Sequence, residues 1–358
     1  LSGGVDSSVA ALLLQEQGYD VVGVFLRNGV EKPAAACDLK QGCCSEDDAL
    51  DAARVADRLG IPFHAVDMQA EFGEVIQHFV SEYAAGRTPN PCAVCNRDIK
   101  FGALARFAEM LGASHLATGH YAQLRTGPQG VELWRGADPR KDQSYVLFPV
   151  GSEILTRTLL PIGAMQKSAV RERARAANLP VFAKPDSVEI CFVPTGDYRD
   201  LLRERGALGQ PGRIVHRDGH VLGDHDGHAG FTRGQRRGLG IASTEPLYVL
   251  EVDAVSGDVL VGPRESTGCA SATVHAFQCF GASIAPGETW QAVEVQHRSS
   301  PGGSSAALHC TASGEVEIHF DQPASSVTPG QGLAVYRGER LLGGGWIHSV
   351  KATDRVSV

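Results

Sequence analysis

The stretch LSGGVDSSVAALLL, Leu1 to Leu14, constrains this chain more than any other. Gly3 and Gly4 can take positive φ and carry no Cβ, so the backbone can turn sharply and bring its N–H groups close to an anion. Ser7 and Ser8 add hydroxyl donors. Val9 to Leu14 reads as the first turns of a helix whose N-terminal dipole points at the same place. Together these features form a cradle for phosphate or pyrophosphate. It lacks the lysine of G-x-x-x-x-G-K-[ST], so it is not the usual kinase or GTPase loop. A bare Ser-Gly-Gly is most often an ordinary strand-to-helix turn; the full string SGGVDSS is far more specific. A loop of this kind is presented by a preceding strand, which leads to the expectation of a further N-terminal segment before Leu1.

Downstream, apolar β-rich pieces (Val21 to Leu26, Phe63 to Val66, His115 to Thr118) alternate with helical stretches at Ser45 to Leu59, Glu71 to Ala84 and Ile99 to Leu111. That alternation predicts a parallel α/β sheet with helices on both faces over residues 1–199. Ligands then belong at the carboxyl ends of the strands, where the opening loop, Leu26 and Gly119-His120 fall. From Asp200 the composition shifts to Gly, Asp and His with short β pieces, giving a small linking domain over 200–268. Its histidines, His216, His220, His225 and His228, lack ligand spacing on a defined element and read as turn or surface residues. Alternating segments separated by Gly/Pro/Ser turns predict an antiparallel β-barrel over 269–358.

SGGVDSS resembles the pyrophosphate loop of the N-type ATP pyrophosphatases, which include GMP synthetase, argininosuccinate synthase and several tRNA-modifying enzymes. Seven stretches, in order, are similar to the motifs of the tRNA-specific 2-thiouridylase (MnmA/TrmU) family. They are GCCSEDDALDAARVADRLGIPFH, GRTPNPCAVCNRDIKF, ATGHYAQ, RKDQSYVL, DSVEICF, RGQRRGLGI and PGQGLAVYRGERLLGGGWI. Each alone would be weak, but an ordered set from Leu1 to Ile347 is specific. The resemblance implies a Rossmann-like parallel sheet of the ATP pyrophosphatase type, its first strand truncated, followed by the small domain and the barrel. The activity it implies is ATP-dependent 2-thiolation of the wobble uridine of tRNA, by adenylation of the C2 oxygen and sulfur transfer. Two rivals are another ATP pyrophosphatase acting on a small metabolite and a tRNA-binding protein without catalysis.

Composition fits this reading without leading to it. A length of 358 residues allows two or three domains, and 43% hydrophobic residues suffice for their cores. The formal net charge of −8 excludes a uniformly basic nucleic-acid binder, so contact with RNA rests on local patches. Candidates are Arg87, Arg97 and Lys100, the stretch from Lys167 to Arg175, and Arg233, Arg236 and Arg237. No apolar run spans a bilayer and no signal peptide is recognisable, giving a cytoplasmic expectation with no membrane partner. Nine cysteines are too few for a disulfide scaffold.

By resemblance, Cys95 in TPNPCAVCN is the nucleophile and Cys191 in DSVEICF carries the persulfide. Both tasks need a thiolate, which Arg97 and Lys100 would favour. Many relatives have aspartate where Cys92 stands, and here a Cys92-x-x-Cys95 pair results. With Cys191 it would supply three thiolates to a 4Fe-4S cluster whose fourth iron binds sulfide. A lone C-x-x-C also suits zinc or a redox dithiol. Relay and cluster both remain open, but a third thiolate has no necessary task in a two-cysteine relay, which favours the cluster. Cys269, Cys279 and Cys310 read as core residues; Cys37, Cys43 and Cys44 have no assigned task.

The resemblance further places ATP at Leu1, Ser2, Gly3, Gly4, Val5, Asp6 and Ser7, with Leu26 and Gly119 around the adenosine and Asp6 as a candidate Mg²⁺ ligand. Asn90, Pro91 and Cys92 match the segment that contacts the target base, and Lys141, Asp142 and Gln143 the one that contacts tRNA. Gln143 has the donor and acceptor pair suited to a pyrimidine edge. His120, His297, Arg298 and Gln331 fall at further tRNA-contacting positions, His297 where relatives usually carry tyrosine. The partners implied are tRNA and a sulfur donor: a cysteine desulfurase, a sulfur-relay protein or sulfide.

Overall fold

The protein was analysed as a computed structural model, which describes residues 1–29, 46–186, 190–193, 196–300 and 302–353. Cys37, Cys43 and Cys44 lie outside the described residues.

The opening region carries α1 (Val5–Glu16), β1 (Gly23–Arg27), α2 (Glu46–Leu59), β2 (Phe63–Asp67), α3 (Gln69–Ala84), α4 (Pro91–Cys95), α5 (Leu104–Met110), β3 (Leu116–Ala117), β4 (Ala122–Gly127), β5 (Gly130–Arg135), α6 (Ser152–Leu155), β6 (Thr158–Leu159), α7 (Lys167–Ala176) and α8 (Tyr198–Glu204). The parallel pairing expected from the alternation is present as two pairs, β1 with β2 and β3 with β6. Helix α3 buries Phe72, Val75, Ile76, Phe79, Val80 and Tyr83, at the 3–4 residue spacing that puts them on one face. Helix α1 and α7 close a second core through Val5, Val9, Ala10, Val170 and Ala174, with Tyr121 and Ile162.

Two local features depart from the sequence reading. The stretch expected as one helix from Ile99 begins as a π-helix, Asn96–Ala103, directly after α4, and becomes α5 at Leu104. Such i→i+5 turns recur at functional sites because they re-aim the side chains before them. The strands β4 and β5 form an antiparallel hairpin inside the region expected to be α/β. Its partner is the C-terminal barrel, through Arg340↔Trp134 and Leu341↔Leu133.

The middle region folds as four strands, β7 (Gly212–His216), β8 (Val221–His225), β9 (Tyr248–Val252) and β10 (Val259–Gly262), in the order β8-β7-β10-β9. Ile214, Val249, Val259 and Val261 form its core. His228 is buried, its Nδ1 accepting from Gln210 N–H at 3.1 Å and its Nε2 lying 3.0 Å from the Ala84 carbonyl. His225 Nε2 bonds the Gly257 carbonyl, and His216 and His220 both face Asp218. These four side chains thus serve turns and packing.

The C-terminal strands β11 (Gly268–Cys279), β12 (Thr289–Gln296), β13 (Ser304–Cys310), β14 (Val316–Ser325), β15 (Gly332–Arg337) and β16 (Arg340–Ala352) run β11-β14-β13-β12-β15-β16, and β16 returns to β11 to close the barrel. Closure removes the free edges that an open antiparallel sheet would expose. Its interior is apolar: Val274, Val293, Val295, Leu308, Ile318, Leu333, Val335 and Ile347.

Candidate functional site

The opening loop takes the conformation its composition requires. Gly3 has φ +70°, and a Cβ there would run into the backbone of Asp48 at the start of α2. Ser7 Oγ accepts from Ser2 N–H at 3.0 Å and lies 3.1 Å from Ser2 Oγ, while Ser8 Oγ donates to the Gly4 carbonyl at 2.7 Å. These bonds fold the loop onto the N-terminus of α1, where no side chain caps the helix. A helix start of this kind offers backbone N–H groups and the positive dipole end to an anion. The backbone nitrogen of Leu1 bonds the Val24 carbonyl, which ties the loop to β1.

Gly119, two residues beyond β3, packs on the same loop from the other side. A Cβ at this position would stand 2.7 Å from Ser7 N and 2.8 Å from the Asp6 carbonyl carbon. Gly119→Ala should therefore push the first turn of α1 out of register and weaken ATP binding by about tenfold or more, since displacements near 1 Å are costly at a positioned site. Calorimetric titration of nucleotide, with a thermal melt as control, checks this; unchanged affinity would remove Gly119 from the nucleotide site.

Asp6 is held by the protein's own donors. Oδ1 accepts from the Tyr121 hydroxyl at 2.7 Å and from Lys167 Nζ at 2.7 Å, and Oδ2 accepts from Lys167 Nζ at 2.9 Å. As a Mg²⁺ ligand Asp6 would have to exchange Lys167 for the metal. Lys167 also pairs with Asp186 at 2.8 Å, and Asp186 with Lys141 at 2.5 Å and Arg171 at 2.6 Å. Partial burial would raise the Asp186 carboxyl, but hydrogen bonds from Lys141 and Lys167 outweigh it and bring the pKa down to about 2. Sequence reasoning assigned Lys167 and Arg171 to an RNA-facing basic run; the structure buries Lys167 and pairs both inward. Arg173 pairs with Glu16, Arg87 with Glu82 and Arg97 with Asp98, whereas Arg236 and Arg237 are exposed.

The cysteine motif sits on the short helix α4. Asn90 caps it, its Oδ1 accepting from Ala93 N–H at 3.2 Å, and Pro91 occupies the first turn, where a missing N–H costs nothing. Asn90 is buried and its amide also reaches the Tyr145 hydroxyl at 3.4 Å. The barrel braces this segment: Gln331 Nε2 donates to the Pro89 carbonyl at 2.8 Å, and Thr88 N–H to Pro329. Cys92 is exposed, and Cys95 and Cys191 are half-buried. Cys95, Cys191 and Leu26 pack against one apolar core that includes Val94, Phe79 and Phe192.

The iron-sulfur expectation meets a different arrangement. Among the described residues no group of three His, Cys, Asp or Glu side chains converges as a metal site, so Cys92, Cys95 and Cys191 do not form a three-thiolate set as they stand. Cys92 and Cys95, three residues apart on α4, are neighbours on that helix, Cys92 exposed and Cys95 packed against the core.

The tRNA-contact candidates fall into two kinds. Lys141 and Asp142 are half-buried: Asp142 accepts from Gly136 N–H, Ser144 N–H and Arg135, and Gln143 Oε1 accepts from Tyr121 N–H at 3.0 Å. The acceptor of Gln143 is thus engaged by the backbone. His120 is buried beside Phe101, its Nδ1 2.8 Å from the Thr118 hydroxyl; burial and the nearby Lys100 charge hold its pKa well below the usual range. Arg298 is exposed and His297 buried. Burial, then the Arg298 charge, lowers His297 to about 4.

The fold keeps His297 neutral, so its contribution to stability is complete above about pH 6.5 and is lost as pH falls toward 4, where the unfolded chain takes up the proton first. His297→Phe should show a shallower fall in urea-unfolding midpoint between those pH values than the wild type. An equally steep fall would show that His297 does not titrate differently on folding.

A parallel-stranded domain with a glycine loop opening onto a helix, joined to a small β domain and a closed barrel, defines an α/β protein of the HUP type with two β domains appended. In sequence, residues 1–195 match the family model described as "tRNA methyl transferase HUP domain". Residues 199–263 match its PRC-barrel domain and 273–347 an aminomethyltransferase beta-barrel domain. A protein named tRNA-specific 2-thiouridylase MnmA from Acidithiobacillus ferrooxidans is 47% identical over 355 residues, covering 98% of this chain and 97% of that one. Its namesakes from Geobacter metallireducens and Geotalea uraniireducens are 46% and 44% identical, covering 97% and 100% of this chain and 95% and 96% of theirs. The chain belongs to the tRNA-specific 2-thiouridylase family.

Proposed function

We propose that this chain is a tRNA-uridine 2-sulfurtransferase that thiolates the wobble uridine, with ATP at the opening loop and sulfur passed through Cys191 and Cys95. The observation that carries the reading is the loop itself: an uncapped helix start, closed in by Gly3 and Gly119, within a chain related to 2-thiouridylases along its whole length. The first turn of α1 holds the phosphates, and Leu26 and Gly119 border the adenosine. The uridine C2 oxygen attacks the α-phosphorus and pyrophosphate leaves, giving an adenylated base. Mg²⁺ would offset phosphate charge, with Asp6 the residue to reach it.

Sulfur transfer then needs two thiols and no third. A persulfide on Cys191 attacks C2 through its terminal sulfur, and AMP departs. The Cys95 thiolate attacks the Cys191 sulfur, which leaves the terminal sulfur on the base and joins Cys95 to Cys191 as a disulfide; an external thiol reduces it for the next cycle. The packing of both residues on one core supports this route. A cysteine desulfurase or a sulfur-relay protein would hand sulfane sulfur to the reduced Cys191 thiol, whereas sulfide would form the persulfide only by attacking the Cys191 sulfur of the Cys95–Cys191 disulfide, with the Cys95 thiolate leaving.

The base must leave the anticodon stack to reach these groups. Pro91 and Cys92 flank its pocket, Asn90 fixes α4 beneath it, and Lys141, Asp142, Gln143, His120, His297, Arg298 and Gln331 shape or line the tRNA surface. Arg236 and Arg237 add exposed positive charge on an acidic protein. The test is pyrophosphate release measured with and without tRNA, alongside nucleoside analysis for 2-thiouridine. Release that needs tRNA and yields 2-thiouridine supports the assignment. Release on a small metabolite alone, or none while tRNA binds, would sink it.

A further inference from the structure

Arg135, the last residue of β5, makes contacts on both sides of the seam between the opening region and the barrel. Its Nη1 donates to Asp142 Oδ2 at 3.0 Å and to Gln296 Oε1 at 3.0 Å, and its Nη2 donates to Glu294 Oε1 at 2.8 Å. The guanidinium lies over the ring of Tyr336, 3.7 Å from its centre. Tyr336 is buried, and its hydroxyl is 2.9 Å from that of Ser144, which donates to Asp142 at 3.0 Å. Only 14% of the Arg135 side chain is exposed, so its charge is directed at protein carboxylates and an aromatic face rather than at solvent.

Each side of this fork leads to a segment proposed to touch tRNA. Asp142 lies between Lys141 and Gln143 and shapes their turn by accepting from Gly136 N–H at 2.9 Å and Ser144 N–H at 3.0 Å. Gln296 is buried, and its Nε2 donates to the Arg298 carbonyl at 3.1 Å and the Ser300 carbonyl at 3.5 Å. Those bonds fix the backbone that carries the exposed Arg298 side chain. A continuous series of hydrogen bonds thus runs from Asp142 through Arg135 and Gln296 to Arg298. Lysine cannot reproduce the fork, because its side chain ends one atom short of Nη1 and has no plane to lay on Tyr336.

We infer that Arg135 is a positioning residue that holds the Lys141–Gln143 turn and the Arg298 turn at one fixed spacing, so that both meet the same tRNA already ordered. The inference rests on the reading of those two segments as tRNA contacts, and it does not require Arg135 to touch RNA. Such preorganisation acts on affinity, because ordering a loose segment otherwise subtracts from binding.

The test measures binding of an unmodified tRNA transcript with uridine at the wobble position to the full chain, by filter retention across a range of salt. Arg135→Gln should raise Kd by about fivefold or more, within the range that residues away from the ligand exert on a site. The slope of log Kd against log salt should stay at its wild-type value, because no phosphate contact is lost, whereas Arg298→Gln should lower that slope by about one. KM for tRNA in pyrophosphate release should rise while kcat stays within about twofold. Arg135→Lys should not restore affinity. Gln296→Leu should weaken binding as Arg135→Gln does, with the double variant no weaker than either single one. Glu294→Gln, which removes the exposed partner of the fork, should bind like the wild type.

Wild-type affinity in Arg135→Lys would assign the residue a charge role and overturn the positioning. A reduced salt slope in Arg135→Gln, additive losses in the double variant, or an equal loss in Glu294→Gln would overturn it as well. Thermal melts accompany every variant, and where Arg135→Gln does not fold, Arg135→Lys and Gln296→Leu carry the test. Unchanged affinity and slope in Arg298→Gln would overturn the reading of that segment as a tRNA contact together with the link, an outcome read on a separate variant.

Discussion

Cys191→Ser and Cys95→Ser should each lower 2-thiouridine formation to below about a thousandth of the wild-type rate, the scale expected when a covalent participant is removed. Cys92→Ser should keep a substantial part of the activity. The contrast follows from α4, which exposes Cys92 and turns Cys95 toward the core that Cys191 also contacts. In the two-thiol route nothing passes through Cys92. Its loss removes no bond-forming atom, whereas serine at Cys191 cannot carry sulfane sulfur and serine at Cys95 cannot release it as a disulfide. Cys95→Ser should, in addition, trap sulfur between Cys191 and the base, seen as tRNA covalently attached to protein. The assay is anaerobic, with nucleoside mass spectrometry and iron and acid-labile sulfide analysis on the same preparation. A brown wild type whose iron and activity both vanish in Cys92→Ser would restore the three-thiolate cluster and end the relay.

Asp6→Asn should lower tRNA-dependent pyrophosphate release by about a hundredfold or more while leaving tRNA affinity within about twofold. The asparagine has almost the same shape, so the loop can still fold around its Ser2, Ser7 and Ser8 bonds. What disappears is the negative charge that faces Lys167 and would meet the cation on the phosphates. The first step then fails before sulfur chemistry begins. Affinity for tRNA is spared because the residues proposed to contact it lie outside the opening loop, at α4, around the β4–β5 hairpin without being part of it, in the middle region and on the barrel. Pyrophosphate is read by a coupled assay under single-turnover conditions, and tRNA binding by filter retention. Release at the wild-type rate would contradict the assignment of Asp6.

Much of the site was legible before any coordinates. Gly3, Gly4, Asp6 and Ser7 mark an anion-type loop because the constraints are local: a positive φ at Gly3, no Cβ at either glycine, and hydroxyls in the first turn of a helix. The barrel strands were legible for a similar reason, since side chains alternate along a strand whatever it pairs with. Helix α3 showed its buried face in the spacing of Phe72, Val75, Ile76, Phe79, Val80 and Tyr83. The hairpin of β4 and β5 was not legible as part of the barrel, because Leu133 and Leu341 find each other only when two distant regions dock.

The sequence by itself therefore determined the glycine loop that opens onto α1, the order of an α/β region, a small β region and a barrel, and the candidate thiols, all of which depend on near neighbours or on motif order. Tertiary structure alone decided what those residues face. Lys167 reads along the chain as one cation in a basic run, yet folding brings it onto Asp6, 161 residues away in sequence, and takes it out of water. Cys92 and Cys95 read along the chain as a C-x-x-C pair, yet the packing of α4 exposes one and half-buries the other. Burial and ion pairing belong to surfaces brought together by folding, and no local period or spacing records which surfaces those will be.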